Sequence, residues 1–298
     1  MPTPPFGRLL TAMVTPFGSD GAVDLDAAAA LATYLVDDLQ HDGLVVSGTT
    51  GESPTTTDAE KADLLRVVLE AVGDRASVLS GVGTFSTEHT LQLATEAAKL
   101  GAHGLLVVTP YYSKPPQAGL LQHFRTVADA TDVPLMLYDI PGRAGVAIAS
   151  DTMLRLAEHP RIVAVKDAKG DLAATAKVTA VSDLAYYSGD DALTLPLLSV
   201  GAVGIVGTST HFSGLGTRAM IEAYLAGDVQ QALTLHRRLL PIFTGVFATQ
   251  GVILVKAGLR LQGRPVGGLR SPLVEATQAE TAALAVALEA AGLPSGPR

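Results

Sequence analysis

Lys166 closes the apolar run Ile162-Val163-Ala164-Val165 and is followed at once by Asp167, Ala168, Lys169 and Gly170. A β-branched run that stops at a lysine predicts a buried strand delivering one amine to its carboxyl end. An amine in apolar surroundings loses hydration of its charged form, so its pKa falls and part of it is a free nucleophile at neutral pH. A neutral lysine amine in a pocket is what Schiff-base chemistry on a ketone needs. The other lysines read differently. Lys99 and Lys177 fall on helical patterns, Lys61 lies in a helix's first turn, and Lys169 sits in a loop and reads as exposed. Lys256 also follows an apolar run, but in an all-helical tail, where a snorkelling lysine is the simpler reading.

Three further segments carry usable side chains. Gly48-Thr49-Thr50-Gly51-Glu52-Ser53 is a turn with two glycines whose amides can converge on a carboxylate, with Thr49 adding a hydroxyl; it also reads as an ordinary strand-to-helix turn. In Tyr138-Asp139-Ile140-Pro141-Gly142-Arg143 a tyrosine can shuttle protons and an arginine can grip a carboxylate bidentately; the alternative is a capped strand end with an exposed ion pair. Tyr111-Tyr112-Ser113-Lys114-Pro115-Pro116 is a stiff aromatic loop of the kind that buries at interfaces. Gly214-Leu215-Gly216-Thr217-Arg218-Ala219 has dinucleotide-like spacing without the strand before it or the acid after it, and reads as chance. The seven histidines show no paired metal spacing, so no metal is expected; His89 and His123 read as helix-surface residues.

These residues need elements to bring them together. Short apolar runs at Leu9–Val14, Gly43–Val46, Ser77–Gly81, Gly104–Val108, Pro134–Tyr138, Ile162–Lys166, Ala185–Ser188 and Val203–Val206 alternate with helical patterns. The latter include Leu25–Leu39, Asp58–Val72, Thr87–Leu100, Gln117–Ala130 and Ser150–Ala157, and Thr57 with Glu60 forms a capping box before one of them. Eight strand–helix units predict a (β/α)8 TIM barrel over residues 1–226, with a doubly wound open sheet as runner-up. Residues 227–298 read as a C-terminal all-helical extension, with helices such as Val229–Phe247 and Thr277–Ala291. In a barrel the strands' carboxyl ends share one face, so Thr49, Tyr112, Tyr138, Lys166 and Gly189 would meet in one pocket.

Composition narrows the chemistry. A net charge of −8 argues against a nucleic-acid footprint, and it leaves any anionic substrate to local donors. Without cysteine there are no disulfides and no thiolate catalysis or thiolate metal sites, which suits a cytoplasmic protein. The start, Met1-Pro2-Thr3-Pro4-Pro5, lacks the pattern of a secretory leader, and no apolar run reaches the roughly 18 residues a membrane span needs.

Taken in order, Thr11-Ala12-Met13-Val14-Thr15-Pro16-Phe17, the GTTGES turn, Val108-Thr109-Pro110-Tyr111-Tyr112, the Tyr138–Arg143 segment, Lys166-Asp167 and Ser188-Gly189-Asp190-Asp191 resemble the pyruvate-dependent class I aldolase family of N-acetylneuraminate lyase and dihydrodipicolinate synthase. The tyrosine pair with Arg143 resembles the dihydrodipicolinate synthase branch in particular. The resemblance implies that Lys166 forms a Schiff base with pyruvate and that Thr49 and Thr50 bind the pyruvate carboxylate. It implies that Tyr138, Thr49 and Tyr112 form a proton relay, and that Arg143 holds the carboxylate of L-aspartate 4-semialdehyde. Gly189 and Val206 match positions that line the pyruvate pocket through backbone groups. The implied product is 4-hydroxy-tetrahydrodipicolinate, on the diaminopimelate route to lysine, with no metal or organic cofactor. Tyr112 would reach a neighbouring subunit's site, so a homo-oligomer, in the family a tetramer of paired dimers, is expected.

The chain also departs from the family. Asp139 stands where many relatives have asparagine, Lys169 where a small polar residue is commoner, and Gly207-Thr208-Ser209-Thr210 is an unusual segment after the eighth strand. Where lysine-inhibited members bind lysine, this chain has Pro54, Asp58, Lys61, Phe85 and His89; weak or absent lysine inhibition is expected. Two other readings stand beside the leading one: a pyruvate aldolase acting on a 2-keto-3-deoxy sugar acid, and a non-catalytic keto-acid-binding or scaffold protein.

Overall fold

The computed structural model describes residues 2–297; Met1 and Arg298, the outer bounds of the expected leader reading and regions, lie outside the described residues. Eight strands, β1 (Leu9–Ala12), β2 (Gly43–Val46), β3 (Ser77–Gly81), β4 (Gly104–Val108), β5 (Leu135–Asp139), β6 (Ile162–Asp167), β7 (Ala185–Ser188) and β8 (Gly204–Gly207), pair in parallel in sequence order. The ring closes where Leu10 pairs with both Gly43 and Val206, which rules out the open sheet. Between them run α1 (Leu25–Thr33), α2 (Asp58–Val72), α3 (Thr87–Lys99), α4 (Gln117–Asp129), α5 (Pro141–Ala144), α6 (Ser150–Ala157), α7 (Leu172–Thr179) and α8 (Thr194–Ser199); α9 (Thr210–Leu225) follows β8.

The strands are buried on both faces, as parallel strands covered by helices are, so the sequence shows them as unbroken apolar runs. The structure sorts them by parity. Leu10, Ala12, Val45, Leu79, Leu106, Met136, Tyr138, Ala164, Ala185, Tyr187 and Val206 belong to one cluster filling the barrel. The alternate residues, among them Leu9, Leu44, Leu105, Leu135, Leu137, Val165 and Ile205, pack outward under the helices. Capping fixes the helix starts: the Thr57–Glu60 capping box is present at α2 and a second, Thr277–Glu280, starts α12 (Gln278–Ala290).

Several bounds differ from expectation. β1 stops at Ala12 because the Val14 amide leaves the ladder and donates to His211 Nε2 at 3.2 Å. β5 begins after Pro134, which has no N–H to give, and both it and β6 run one residue further than expected. The expected helix Leu25–Leu39 passes at Tyr34–Asp38 into a wider π-helical turn, with Leu39 N donating to Tyr34 O. The tail consists of α10 (Val229–Gly245), α11 (Gly251–Leu261) and α12. Its Leu239, Phe243, Leu254, Leu259, Leu284 and Leu288 join the same buried cluster as Leu31, Val68 and Met220 of the barrel helices. No helix among the described residues is long and apolar enough to cross a membrane.

Candidate active site

Side chains two residues apart on a strand share a face. Ala164 faces the barrel interior, so Lys166 does too. It lies in register with Tyr138 of β5 on one side and Tyr187 of β7 on the other. Lys166 is only 4% exposed, and its Nζ lies 4.4 Å from the centre of the Tyr138 ring. Burial lowers the amine's pKa to about 8; the Asp191 carboxylate opposes this and the Arg143 charge adds to it. Burial likewise pushes the Tyr138 phenol up to about 12, against the opposing pull of the Arg143 charge and of a hydrogen bond with the Thr49 side chain. The phenol therefore keeps its proton at neutral pH while a usable share of the amine is neutral, so the pair couples a nucleophile to a proton donor.

Above this pair opens a cavity of about 370 Å³, lined by Thr49, Tyr111, Tyr112, Tyr138 and Arg143 among others. Parity again accounts for much of it. Ser47, Gly81, Val108 and Tyr138 line the cavity, each two residues beyond an inward-facing Val45, Leu79, Leu106 or Met136. Lys166, Thr50, Gly189 and Val206 are not among its lining residues. Lys166 is buried with its amine over the Tyr138 ring, and Val206 is fully buried in the interior cluster. Gly189 packs directly on the lysine: a Cβ there would stand 3.0 Å from Lys166 Cγ and 3.1 Å from Ala168 Cβ.

The GTTGES turn is folded on itself. Gly51 N and Ser53 N donate to Gly48 O, and Glu52 N donates to Thr49 O. Among the described residues no protein acceptor takes the Thr49 or Thr50 amide, so these are the donors the turn can offer an anion. Thr50 Oγ1 lies 3.4 Å from Thr208 Oγ1, which ties the turn to the unusual 207–210 segment. Arg143 is exposed on α5, and Tyr112 is 94% exposed on the rim, in the left-handed region at φ +70°.

Three expectations are corrected. Lys256 does not snorkel: it is fully buried, donates to Glu52 Oε1 at 2.7 Å and to Gly268 O at 2.6 Å, and lies over the Phe17 ring. Burial lowers its pKa while Glu52 holds it up. The Glu52 carboxylate, carried by the GTTGES turn itself, is the partner that makes burial tolerable, and its other oxygen accepts from Arg270 N at 3.0 Å. Lys169 is not an exposed loop lysine; its side chain is 18% exposed and its amine lies 3.3 Å from Asp139 Oδ2. His123 is buried rather than on a helix surface, with Nδ1 2.9 Å from Thr87 Oγ1. The glycine-rich stretch 214–219 lies inside α9, in keeping with chance.

The sequence reading also gave Asp191 no role. It is fully buried and accepts from Ser209 N at 2.8 Å, Ser209 Oγ at 2.5 Å and Thr208 N at 3.1 Å. One carboxylate thereby shapes the 207–210 wall and places a negative charge near Lys166. Its sequence signal was the Asp190-Asp191 pair beside Gly189, where two acids follow an apolar strand.

Comparisons with known proteins agree with this geometry. The chain matches the dihydrodipicolinate synthetase family over residues 5–291. It is 69% identical over 288 residues to a protein of Acidothermus cellulolyticus named 4-hydroxy-tetrahydrodipicolinate synthase, covering 97% of this chain and 93% of that one. Among solved structures, the synthase of Cyanidioschyzon merolae with lysine bound superposes with a TM-score of 0.96 at 44% identity, over 98% of this chain and 100% of that one. The chloride-inhibited synthase of Acinetobacter baumannii, complexed with pyruvate, gives 0.93 at 33% identity, over 97% of this chain and 100% of that one. With a match over nearly its whole length and a buried strand-end lysine beside a tyrosine, the chain belongs to the dihydrodipicolinate synthetase family.

Proposed function

We propose that this chain condenses pyruvate with L-aspartate 4-semialdehyde to give 4-hydroxy-tetrahydrodipicolinate, through a Schiff base on Lys166. The observation that carries the reading is the placement of Lys166: inward, 4% exposed, with its pKa lowered to about 8 beside a protonated Tyr138. The Lys166 amine adds to C2 of pyruvate, and the carbinolamine loses water as Tyr138 supplies a proton to the departing oxygen. The Thr49 and Thr50 amides and the Thr49 hydroxyl hold the pyruvate carboxylate, with Gly189 and Val206 closing the space around the lysine stem. Loss of a C3 proton gives the enamine, which forms a carbon–carbon bond to the aldehyde of the second substrate. Arg143 grips that substrate's carboxylate. The substrate's own amine then attacks the imine carbon, closes the ring and frees Lys166, so one water is lost overall and the lysine needs no organic cofactor.

Tyr112 completes the relay from Tyr138 and Thr49. Its 94% exposure and rim position suit a side chain delivered to a second subunit, which supports a homo-oligomer built from paired subunits. The chain's location is proposed as cytoplasmic, on its cysteine-free composition and metabolic role. The assay that tests the function offers pyruvate with L-aspartate 4-semialdehyde, and separately a 2-keto-3-deoxy sugar acid for cleavage. Condensation without cleavage is expected; cleavage of the sugar acid without condensation would overturn the assignment.

A further inference from the structure

Asp139 and Lys169, two departures from the family pattern far apart in purpose when read in sequence, touch in the fold. Asp139 ends β5 directly after Tyr138 and is 1% exposed. Its Oδ1 accepts from Ile148 N at 3.2 Å, and its Oδ2 lies 3.3 Å from Lys169 Nζ. The same ammonium reaches Ile148 O at 3.5 Å. Lys169 is itself fixed from below, because its amide donates to Asp167 Oδ1 at 2.8 Å, and Ala168 N donates to Asp139 O at 2.9 Å. Asp167, whose Oδ2 accepts from Thr175 Oγ1 at 2.5 Å, is the other charged group beside the pair.

The two ends of one segment are thus clamped together. Residues 140–147 leave β5 at Asp139 and return at Ile148, and both ends are held by the Asp139 carboxylate and the Lys169 ammonium. Between them lies α5 with Arg143, its turn closed by Arg143 N and Ala144 N donating to Ile140 O and by Gly145 N donating to Pro141 O. Gln117 of α4 also holds the returning end, its Nε2 donating to Ala147 O at 2.8 Å and its Oε1 accepting from Ala149 N at 2.9 Å, but it has no tie to the Lys166 strand. Lys169 comes from the loop that follows the Lys166 strand. We infer that the Asp139–Lys169 ion pair is a positioning device that fixes the Arg143 loop relative to the Lys166 strand, and so sets affinity for the second substrate without touching the first. A neutral amide at 139 can accept from Ile148 N but has no charge to hold an ammonium. The charged acid requires the lysine, because a buried carboxylate left without a cation is costly.

This rests on the assignment of Arg143 to the second substrate. The test compares wild type with Lys169→Met, Asp139→Asn and the double variant, in steady-state condensation and in borohydride trapping of the pyruvyl adduct. Lys169→Met is expected to raise KM for L-aspartate 4-semialdehyde about tenfold, the equivalent of about 1.4 kcal/mol. Its KM for pyruvate and rate of adduct formation should stay within about twofold of wild type, since binding energy at one carboxylate grip is being changed and the Schiff-base step is not. The double variant should recover most of the loss, a non-additivity that marks direct coupling. If Lys169→Met does not fold, Asp139→Asn alone carries the test with the same split between the two KM values. Unchanged KM for the semialdehyde, additive losses in the double variant, or equal losses for both substrates would each overturn the inference. Absence of condensation in the wild type would instead strike the functional assignment.

Discussion

At the scale of single residues, Lys166 was legible because one physical signal marked it: an apolar strand that ends in an amine. Its neighbours were legible only in part. Tyr138 and Thr49 follow from position at strand ends, whereas the charge that tunes the amine, Asp191, lies on a different strand-to-helix connection and no local pattern ties it to Lys166. The tuning has a testable sign. The Asp191 anion favours the ammonium form of Lys166 and raises its pKa against the lowering by burial. Asp191→Asn removes that anion, so the lysine's pKa should fall below its present value of about 8. The rate of pyruvyl adduct formation at limiting pyruvate rises as the amine loses its proton, so the midpoint of that rise should move to lower pH. A midpoint that stays put or moves up would contradict the role given to Asp191, provided the variant's thermal unfolding shows a folded protein. The expected insensitivity to lysine belongs at this scale too. Lys61 Nζ donates to Thr56 O at 2.5 Å, His89 Nε2 is 2.9 Å from Asp58 Oδ2, and Phe85 packs edge-on against Tyr111. Phe85, 62% exposed, offers no hydrogen bond there, and the Lys61 ammonium repels a second cation, so an inhibition constant for lysine in the submillimolar range would refute the expectation.

At the scale of elements, the eight strands could be read because each is buried on both faces and so appears as an apolar run, bounded by turns or helical periodicity. Their ends moved by one or two residues where a single hydrogen bond or a proline decided the matter, as with Val14 on His211. The helical tail was legible as helix but its contribution was not. Read alone, Lys256 has no partner within reach in sequence; the fold brings Glu52 to it from 204 positions away. Glu52 occupies the left-handed region at φ +54°, and α11 holds it there through this pair. Lys256→Met should therefore destabilise the protein by about 3–5 kcal/mol, the usual consequence of stranding one buried partner, and Glu52→Gln in the same chain should restore part of it. Chemical unfolding measures both. A loss under about 1 kcal/mol would mean the pair contributes no more than a surface contact.

At the scale of the whole molecule, closure of the barrel brings residues spread from Thr49 to Asp191 to one end of the barrel, some lining the cavity and others, Lys166 and Asp191 among them, buried beside it, which is why a linear reading could list the parts and still leave the floor and the rim unassigned. Tyr112 shows the limit most clearly: within one chain it is a nearly bare side chain at the cavity mouth, and the role proposed for it needs a second copy to receive it. Mixing Lys166→Ala subunits with Tyr112→Phe subunits tests this. If Tyr112 acts across an isologous interface, random reassortment should restore about one quarter of the wild-type sites, because mixed pairs carry one complete set each. No recovery would place Tyr112 in its own chain's site or outside the reaction. The central claim, that one buried amine condenses with a keto acid, is tested most directly by reducing the protein with borohydride in the presence of pyruvate and mapping the mass gained. A pyruvyl increment on the peptide carrying Lys166, lost in Lys166→Ala, is the expected result; an unmodified Lys166, or an adduct on any other lysine that survives Lys166→Ala, would contradict it.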